Sequence, residues 1–166
     1  MDKPDKLALV EFNGEFYRFV TMSQGVMAFA DPDAERQILK ADSDDEILGF
    51  SLRRSLAGSK KVSLEDFQRI IKAGKVQQAE KLSAALVMQE FGYKTKKAML
   101  QQMKTCTVSS MGSVIEIQPT HRDSLDSYTV KKNEGPFPIE VRSDGSDGYL
   151  GSALREAFLR CTSDIG

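Results

Sequence analysis

The sequence predicts an α+β fold: a central, mostly antiparallel sheet with helices packed on it. Three observations carry this expectation. Runs rich in β-branched and aromatic residues gather near the two ends of the chain, over residues 7–29 and 105–141. Between them lie segments whose apolar residues recur at helical spacing. The strand runs are joined by hairpin-type turns, which favour antiparallel neighbours. At 166 residues the chain has the length of one domain, 1–166, with material enough for a core.

Leu7–Phe12 is apolar and reads as the first strand; Asn13-Gly14 is a tight hairpin signal, and Phe16–Val20 is the return arm. Val26–Phe29 adds a short third strand before Asp31-Pro32-Asp33 breaks the pattern. A helix is predicted from Asp45 to Ala57, ending near Gly58, with Leu48, Leu52 and Leu56 on one face. Its acidic lead-in, Ser43-Asp44-Asp45-Glu46, suits the positive end of the helix dipole, and Ser43 with Glu46 fits a capping box. Ser63 opens a second helix with Leu64, Phe67, Ile70 and Ile71 on one face and Gly74 at its end. Val76–Phe91 is the longest helix, with Ala79, Leu82, Ala85, Leu86 and Phe91 as an expected buried stripe and Gly92 after it. Thr95 starts a helix over Lys96–Met103.

Strands then return. Thr105–Val108 and Val114–Ile117 flank the loop Ser109–Ser113, and Pro119 closes the second arm because proline cannot extend a central ladder. Tyr128–Val130 and Ile139–Val141 are short strands separated by the turn-rich Lys132-Asn133-Glu134-Gly135-Pro136. The last helix repeats the first: Leu150-Gly151-Ser152-Ala153-Leu154-Arg155 mirrors Leu48-Gly49-Phe50-Ser51-Leu52-Arg53. It too follows an acidic lead-in, Ser146-Asp147-Gly148.

Bulk composition narrows the function classes. With 23 basic against 24 acidic residues, net charge gives no reason to expect nucleic acid or an anionic membrane as partner. No apolar run has the ~20 residues of a membrane span, and Met1–Lys6 lacks the apolar centre of a signal peptide. Two cysteines, Cys106 and Cys161, do not make a disulfide framework; reduced thiols in the cytoplasm are the expectation.

No catalytic set emerges. The one histidine, His121, stands near Asp123 and Ser124, but catalytic pairing requires hydrogen-bond reach in space, and the plainer reading is a polar loop residue after a strand. Cys106 and Cys161 read as small core fillers, and with one histidine they match no metal-ligand spacing. Gly145-Ser146-Asp147-Gly148 precedes a helix, where an anion could sit, yet it lacks a phosphate-loop lysine and Asp147 repels anions, so a turn with an N-cap fits better. No catalytic residue, metal or cofactor is therefore expected. Lys94-Thr95-Lys96-Lys97 beside Tyr93 is the feature an alternative reading would use, that of a small single-stranded nucleic-acid binder; with the chain's charge balanced, the solvated face of a short helix accounts for it better. Asp31–Glu46 carries seven carboxylates against Arg36 and Lys40, a surface suited either to solubility or to a basic protein partner.

Several pieces together resemble the CdiI-type immunity proteins of bacterial contact-dependent growth inhibition (CDI). They are the duplicated Leu-Gly-x-x-Leu-Arg helix, the stretch Phe91–Leu100 followed by Met103-Lys104-x-Cys106, and Ile117-Gln118-Pro119-Thr120 with Arg122-Asp123. They run in family order from about residue 42 to 161. The departures are Phe50, Ser51 and the Arg53-Arg54 pair, in a helix that often carries more acidic residues, and the N-terminal strands match only in general character. The resemblance implies a cytoplasmic, non-enzymatic inhibitor. Such a protein binds the C-terminal toxin domain of a cognate CdiA effector, often a nuclease, as a monomer in a 1:1 complex, with neither nucleic acid nor membrane as partner. Some members accept a toxin β-hairpin at a sheet edge. For this chain the expected partner-binding residues are Asp42, Asp44, Asp45 and Glu46 as steering charges, with Tyr128 and Phe137 as aromatic anchors.

Overall fold

The computed structural model describes residues 3–131 and 133–165. Met1 and Asp2, at the start read for a leader, lie outside the described residues, as do Lys132 at the head of the predicted turn and Gly166. The element order is β1 (Lys6–Phe12), β2 (Phe16–Gln24), β3 (Ala28–Ala30), β4 (Gln37–Lys40), α1 (Asp45–Ala57), α2 (Leu64–Lys72), α3 (Lys75–Phe91), α4 (Lys96–Leu100), β5 (Lys104–Met111), β6 (Val114–Pro119), β7 (His121–Ser124), β8 (Ser127–Thr129), β9 (Ile139–Arg142), α5 (Asp147–Arg160) and β10 (Thr162–Ser163). The class is the predicted one, α+β with an antiparallel sheet.

Among the described residues seven strands form one sheet in the order β3-β2-β1-β5-β6-β9, with β4 pairing β2 as well. Every pairing in it is antiparallel. The β1–β2 turn uses Asn13-Gly14 as expected: Gly14 takes φ 95°, and the Asn13 side-chain oxygen accepts from the amides of Glu15 and Phe16. The β5–β6 turn is tighter than predicted. Ser109 and Ser110 stay in the ladder opposite Glu116 and Ile115, leaving only Gly112-Ser113 between Met111 and Val114. A small second sheet, β10-β7-β8, joins the end of the chain to β7 in parallel.

Period-two alternation gives the main sheet two different faces. Ala8, Val10, Tyr17, Phe19, Cys106, Val108, Ile115 and Ile117 meet Leu48, Leu52 and Leu56 of α1 and Leu150, Leu154, Ala157 and Phe158 of α5 in the larger core. On the other face Phe16 packs with Ala84 and Val87 of α3, Met99 of α4 and Met103. Because β2 is covered from both sides, nearly all of it is buried.

The duplicated motif explains itself where α1 crosses α5. Gly49 lies against the backbone of Asp147 and Gly151 against that of Asp45, so close that a Cβ on either glycine would drive into a carbonyl oxygen. Each helix also sends an arginine to the aspartate of the other: Arg53 Nε donates to Asp147 at 2.7 Å and Arg155 Nε to Asp45 at 2.5 Å. The same guanidinium groups reach the carbonyls of Ser143 and Gly145, and of Ser43, in the turns ahead of the partner helix. Asp, Gly and Arg stand four residues apart in both helices, on one stripe, and the stripes meet about a local twofold.

Some expectations are corrected. Asp44, not Ser43, caps α1, accepting from the Ile47 amide, so the Ser43–Glu46 capping box is not formed. The α3 stripe is displaced: Leu82 and Leu86 are 64 and 61% exposed, and Ser83, Ala84 and Val87 face the sheet instead. Small residues let the helix approach closely and leave room for Arg18 to bond Ser83. α2 buries no residue fully; Leu64 and Ile71 are exposed, and Phe67 is its packing residue, against Phe29. α4 stops at Leu100, short of Met103, which is nonetheless buried. β4 was not foreseen, and His121 sits in a strand, not a loop.

Gly49→Ala and Gly151→Ala are the sharpest tests of this packing. In an open helix alanine is favoured over glycine by about 1 kcal/mol; here both substitutions should instead destabilise by roughly 2–4 kcal/mol, as overpacking does. Urea unfolding followed by circular dichroism reads the sign directly.

Candidate functional site

α3 and α4 cover only part of their face of the sheet. β2 is hidden beneath them, but β1 and β5 emerge, and there a cleft of about 540 Å³ opens. Leu9 and Glu11 of β1, Arg18 of β2 and Thr105 and Thr107 of β5 form its floor. These residues alternate in sequence with the core residues Ala8, Val10, Cys106 and Val108 on the opposite face. Glu80, Lys96 and Leu100 stand on the helical side, and Asp126, Tyr128, Thr129 and Val130 on the β8 side. The size is that of a ligand or peptide site.

A buried ion network underlies the floor. Arg18 is 2% exposed; its guanidinium donates to Glu11 at 2.8 Å, to Glu80 at 3.1 Å and to the Ser83 hydroxyl at 3.2 Å. Arg36 adds a second bond to Glu80 at 2.5 Å. Burial alone would raise the Glu80 carboxyl, but Arg18 and Arg36 together hold it below the ordinary carboxylate value. Burial would lower the Arg18 guanidinium, and Glu11 and Glu80 outweigh that and raise it. Among the described residues, Arg36 Nη2 is the one buried side-chain nitrogen or oxygen atom without a hydrogen-bond partner.

The β8 wall is set by Arg122. Buried, it donates to the carbonyls of Leu100 and Gln101 at the end of α4 and of Leu125 in the β7–β8 turn, and lies over the Tyr128 ring at 5.8 Å. Tyr128 donates to the Met103 carbonyl at 3.3 Å; burial pushes its phenol upward, so it stays protonated. Among the described residues β8 pairs with β7 alone, and Tyr128 and Thr129 of β8 line the cleft.

The residues expected to bind a partner do not gather in one place. Tyr128 lines the cleft. Asp44 is taken up as the α1 cap and Asp45 by Arg155, while Asp42 and Glu46 are exposed; all four belong to the α1 end, across the sheet from the cleft. Phe137 is 58% exposed beside His121 and Asp164, in a separate depression. His121 bonds the Thr162 hydroxyl through Nδ1 at 2.6 Å, and its Nε2 lies 3.1 Å from Asp164 and 3.8 Å from Asp123; among the described residues it makes no hydrogen bond to Ser124, the partner its sequence neighbourhood offered. Ser146 caps α5 as the turn reading expected. Sequence reasoning missed Glu11, Arg18 and Glu80. The available signal was Arg18 itself, a charge set in the aromatic run Phe16-Tyr17-Arg18-Phe19.

Comparison with known proteins gives the family and the fold. The profile of the CdiI family, described as CDI immunity protein, matches residues 6–161. The immunity protein CdiI-YPIII of Yersinia pseudotuberculosis serotype O:3 (strain YPIII) is 32% identical over 75 residues, 45% of this chain; the match spans 42% of that relative's length. Two solved structures share the fold. A protein of unknown function from Neisseria meningitidis superposes with a TM-score of 0.83 at 23% identity, over 97% of this chain and 99% of its own. A chain of the CdiA-CT/CdiI toxin and immunity complex from Yersinia pseudotuberculosis superposes with a TM-score of 0.82 at 23% identity, over 95 and 97%.

The Glu80 network makes a pH prediction. The folded-state carboxyl is depressed, so its contribution is present above the unfolded value of about 4.3 and disappears as pH falls through the folded one. Glu80→Gln should cost about 1 kcal/mol at pH 7, a value reduced from that of a buried charged bond because the side chain is 36% exposed. Urea titrations between pH 3 and 7 should show the difference between wild type and variant constant near neutrality and shrinking as pH falls below about 4.3.

Proposed function

The chain belongs to the CdiI family of CDI immunity proteins, and from that premise we propose that it neutralises the C-terminal toxin domain of a cognate CdiA effector by covering it, as a monomer in a 1:1 complex in the cytoplasm. In this reading it is not an enzyme, and no bond is made or broken by its own side chains. The toxin is a nuclease, whose basic nucleic-acid surface the exposed carboxylates Asp42, Asp44 and Glu46, with the partly buried Asp45, attract from a distance.

The observation that carries the proposal is the cleft with β8 at its side, a strand that among the described residues pairs on one edge alone, with β7. An extended toxin segment laid along β8 would gain main-chain hydrogen bonds from the other edge, and Leu9, Leu100 and Tyr128 offer apolar contact to its side chains. Arg18, Glu11 and Glu80 would set which charges the cleft floor tolerates. No helix among the described residues is long and apolar enough to cross a membrane.

Titration calorimetry with the toxin domain encoded beside this gene tests the reading. Nanomolar binding at 1:1, with loss of the toxin's nucleic-acid cleavage at equivalence, is expected; affinity weaker than about micromolar defeats it. Tyr128→Ala should loosen binding at least tenfold, mainly through faster dissociation. Asp42→Lys with Glu46→Lys should instead slow association severalfold at low salt and leave dissociation unchanged.

A further inference from the structure

The chain's two cysteines meet in space. Cys106 is in the middle of β5, and Cys161 follows the last turn of α5, 55 residues on, with the two sulfurs 3.9 Å apart. Both are free thiols. Their surroundings differ. Cys106 is wholly buried in the larger core, whereas Cys161 is half-buried at its margin and lines a small cavity of about 60 Å³ together with Lys104, Thr120 and Tyr128. That space is large enough to admit a molecule the size of hydrogen peroxide.

We propose that Cys161 and Cys106 are a peroxide-responsive pair that closes to a disulfide between the end of α5 and β5. The division of labour follows from position. Cys161 is the sulfur that a small oxidant can reach, and Cys106, adjacent and screened from solvent, resolves the product. The electrostatics agree: the hydrogen bond from Cys106 draws the Cys161 thiol below its ordinary value, with Lys104 acting in the same direction, while burial pushes Cys106 well up. In the reduced protein Cys161 Sγ also lies 3.4 Å from the Thr105 carbonyl and 3.7 Å from that of Ala157.

The steps balance. The Cys161 sulfur attacks one oxygen of hydrogen peroxide, the O–O bond breaks, and the departing hydroxide takes the former thiol proton to form water, leaving a sulfenic acid. The Cys106 sulfur then attacks the Cys161 sulfur, and the S–O bond breaks. The departing hydroxide takes the Cys106 proton as a second water. Two thiols are oxidised by two electrons and one peroxide is reduced. The product ties α5 to a strand that supplies the cleft floor, beside Tyr128 on its wall.

The experiment treats the reduced, full-length protein with hydrogen peroxide and follows intact mass, thiol titre and thermal unfolding. Support is a loss of about 2 Da without dimer formation, disappearance of both thiols, a Tm raised by roughly 5–10 °C, and reversal by dithiothreitol. Cys106→Ala should stop at a sulfenic acid on Cys161, about 16 Da heavier and trapped by dimedone. Cys161→Ala should leave Cys106 unreacted while folded. Persistence of both thiols in the folded wild type, overoxidation of Cys161 without crosslinking, or intermolecular dimers would overturn the proposal. The wild-type reaction alone decides these outcomes if either variant folds poorly.

Discussion

The rest of the structure depends on the α1–α5 crossing. Two helices can approach until one backbone touches another only where no Cβ intervenes, and Gly49 and Gly151 supply that at the same contact, seen from both sides. A glycine inside a helix sacrifices about 1 kcal/mol of local stability. It is offset here by close packing and by two arginine–aspartate pairs that also satisfy carbonyls in the turns before each helix. With the helices locked, Leu48, Leu52, Leu150 and Leu154 form one apolar surface over β1, β5 and β6.

That arrangement leaves the other face of the sheet to a thinner cover. α3 lies over β2 and presents Ser83, Ala84 and Val87 to it, and α4 supplies Met99. Beyond them Leu9 and Glu11 of β1 and Thr105 and Thr107 of β5 line the cleft. The cleft is thus the part of a sheet that its helices do not reach, closed at the side by a hairpin that Arg122 fastens to the end of α4. The charges belong to the same solution. Arg18 is the charged residue of a strand buried on both faces, and it is tolerated because Glu11, Glu80 and Ser83 take its donors.

What could be read beforehand was local. The bounds of α1, the Asn13-Gly14 turn, the caps Ser63, Thr95 and Ser146 and the glycine after α3 follow from neighbours within a few residues, and the structure has them. What could not be read depends on distant partners. β4 is four residues in an acidic stretch and becomes a strand only through pairing with β2. Leu82 and Leu86 form a plausible stripe on their own, yet the sheet selects the neighbouring face with smaller side chains. Both glycines and both arginines of the duplicated motif were visible, but their purpose is a contact between segments about a hundred positions apart. The cleft was illegible for the same reason. Its floor comes from alternate residues of three strands, and only Tyr128 among the expected anchors reaches it.

The spacing of the paired helices has a consequence for biosynthesis. Asp45 and Arg155, joined by an ion pair, are separated by 110 residues. At the usual 5–20 residues per second, the ribosome spends on the order of 5–20 s between one and the other. Throughout that interval α1 holds a bare apolar flank with a notch at Gly49 and nothing to fill it, and for about the first half of it the β1–β2 hairpin also awaits β5. The nascent chain therefore matures late and all at once, and its most vulnerable seconds, those in which a chaperone has something to grip, fall before the final helix leaves the exit tunnel.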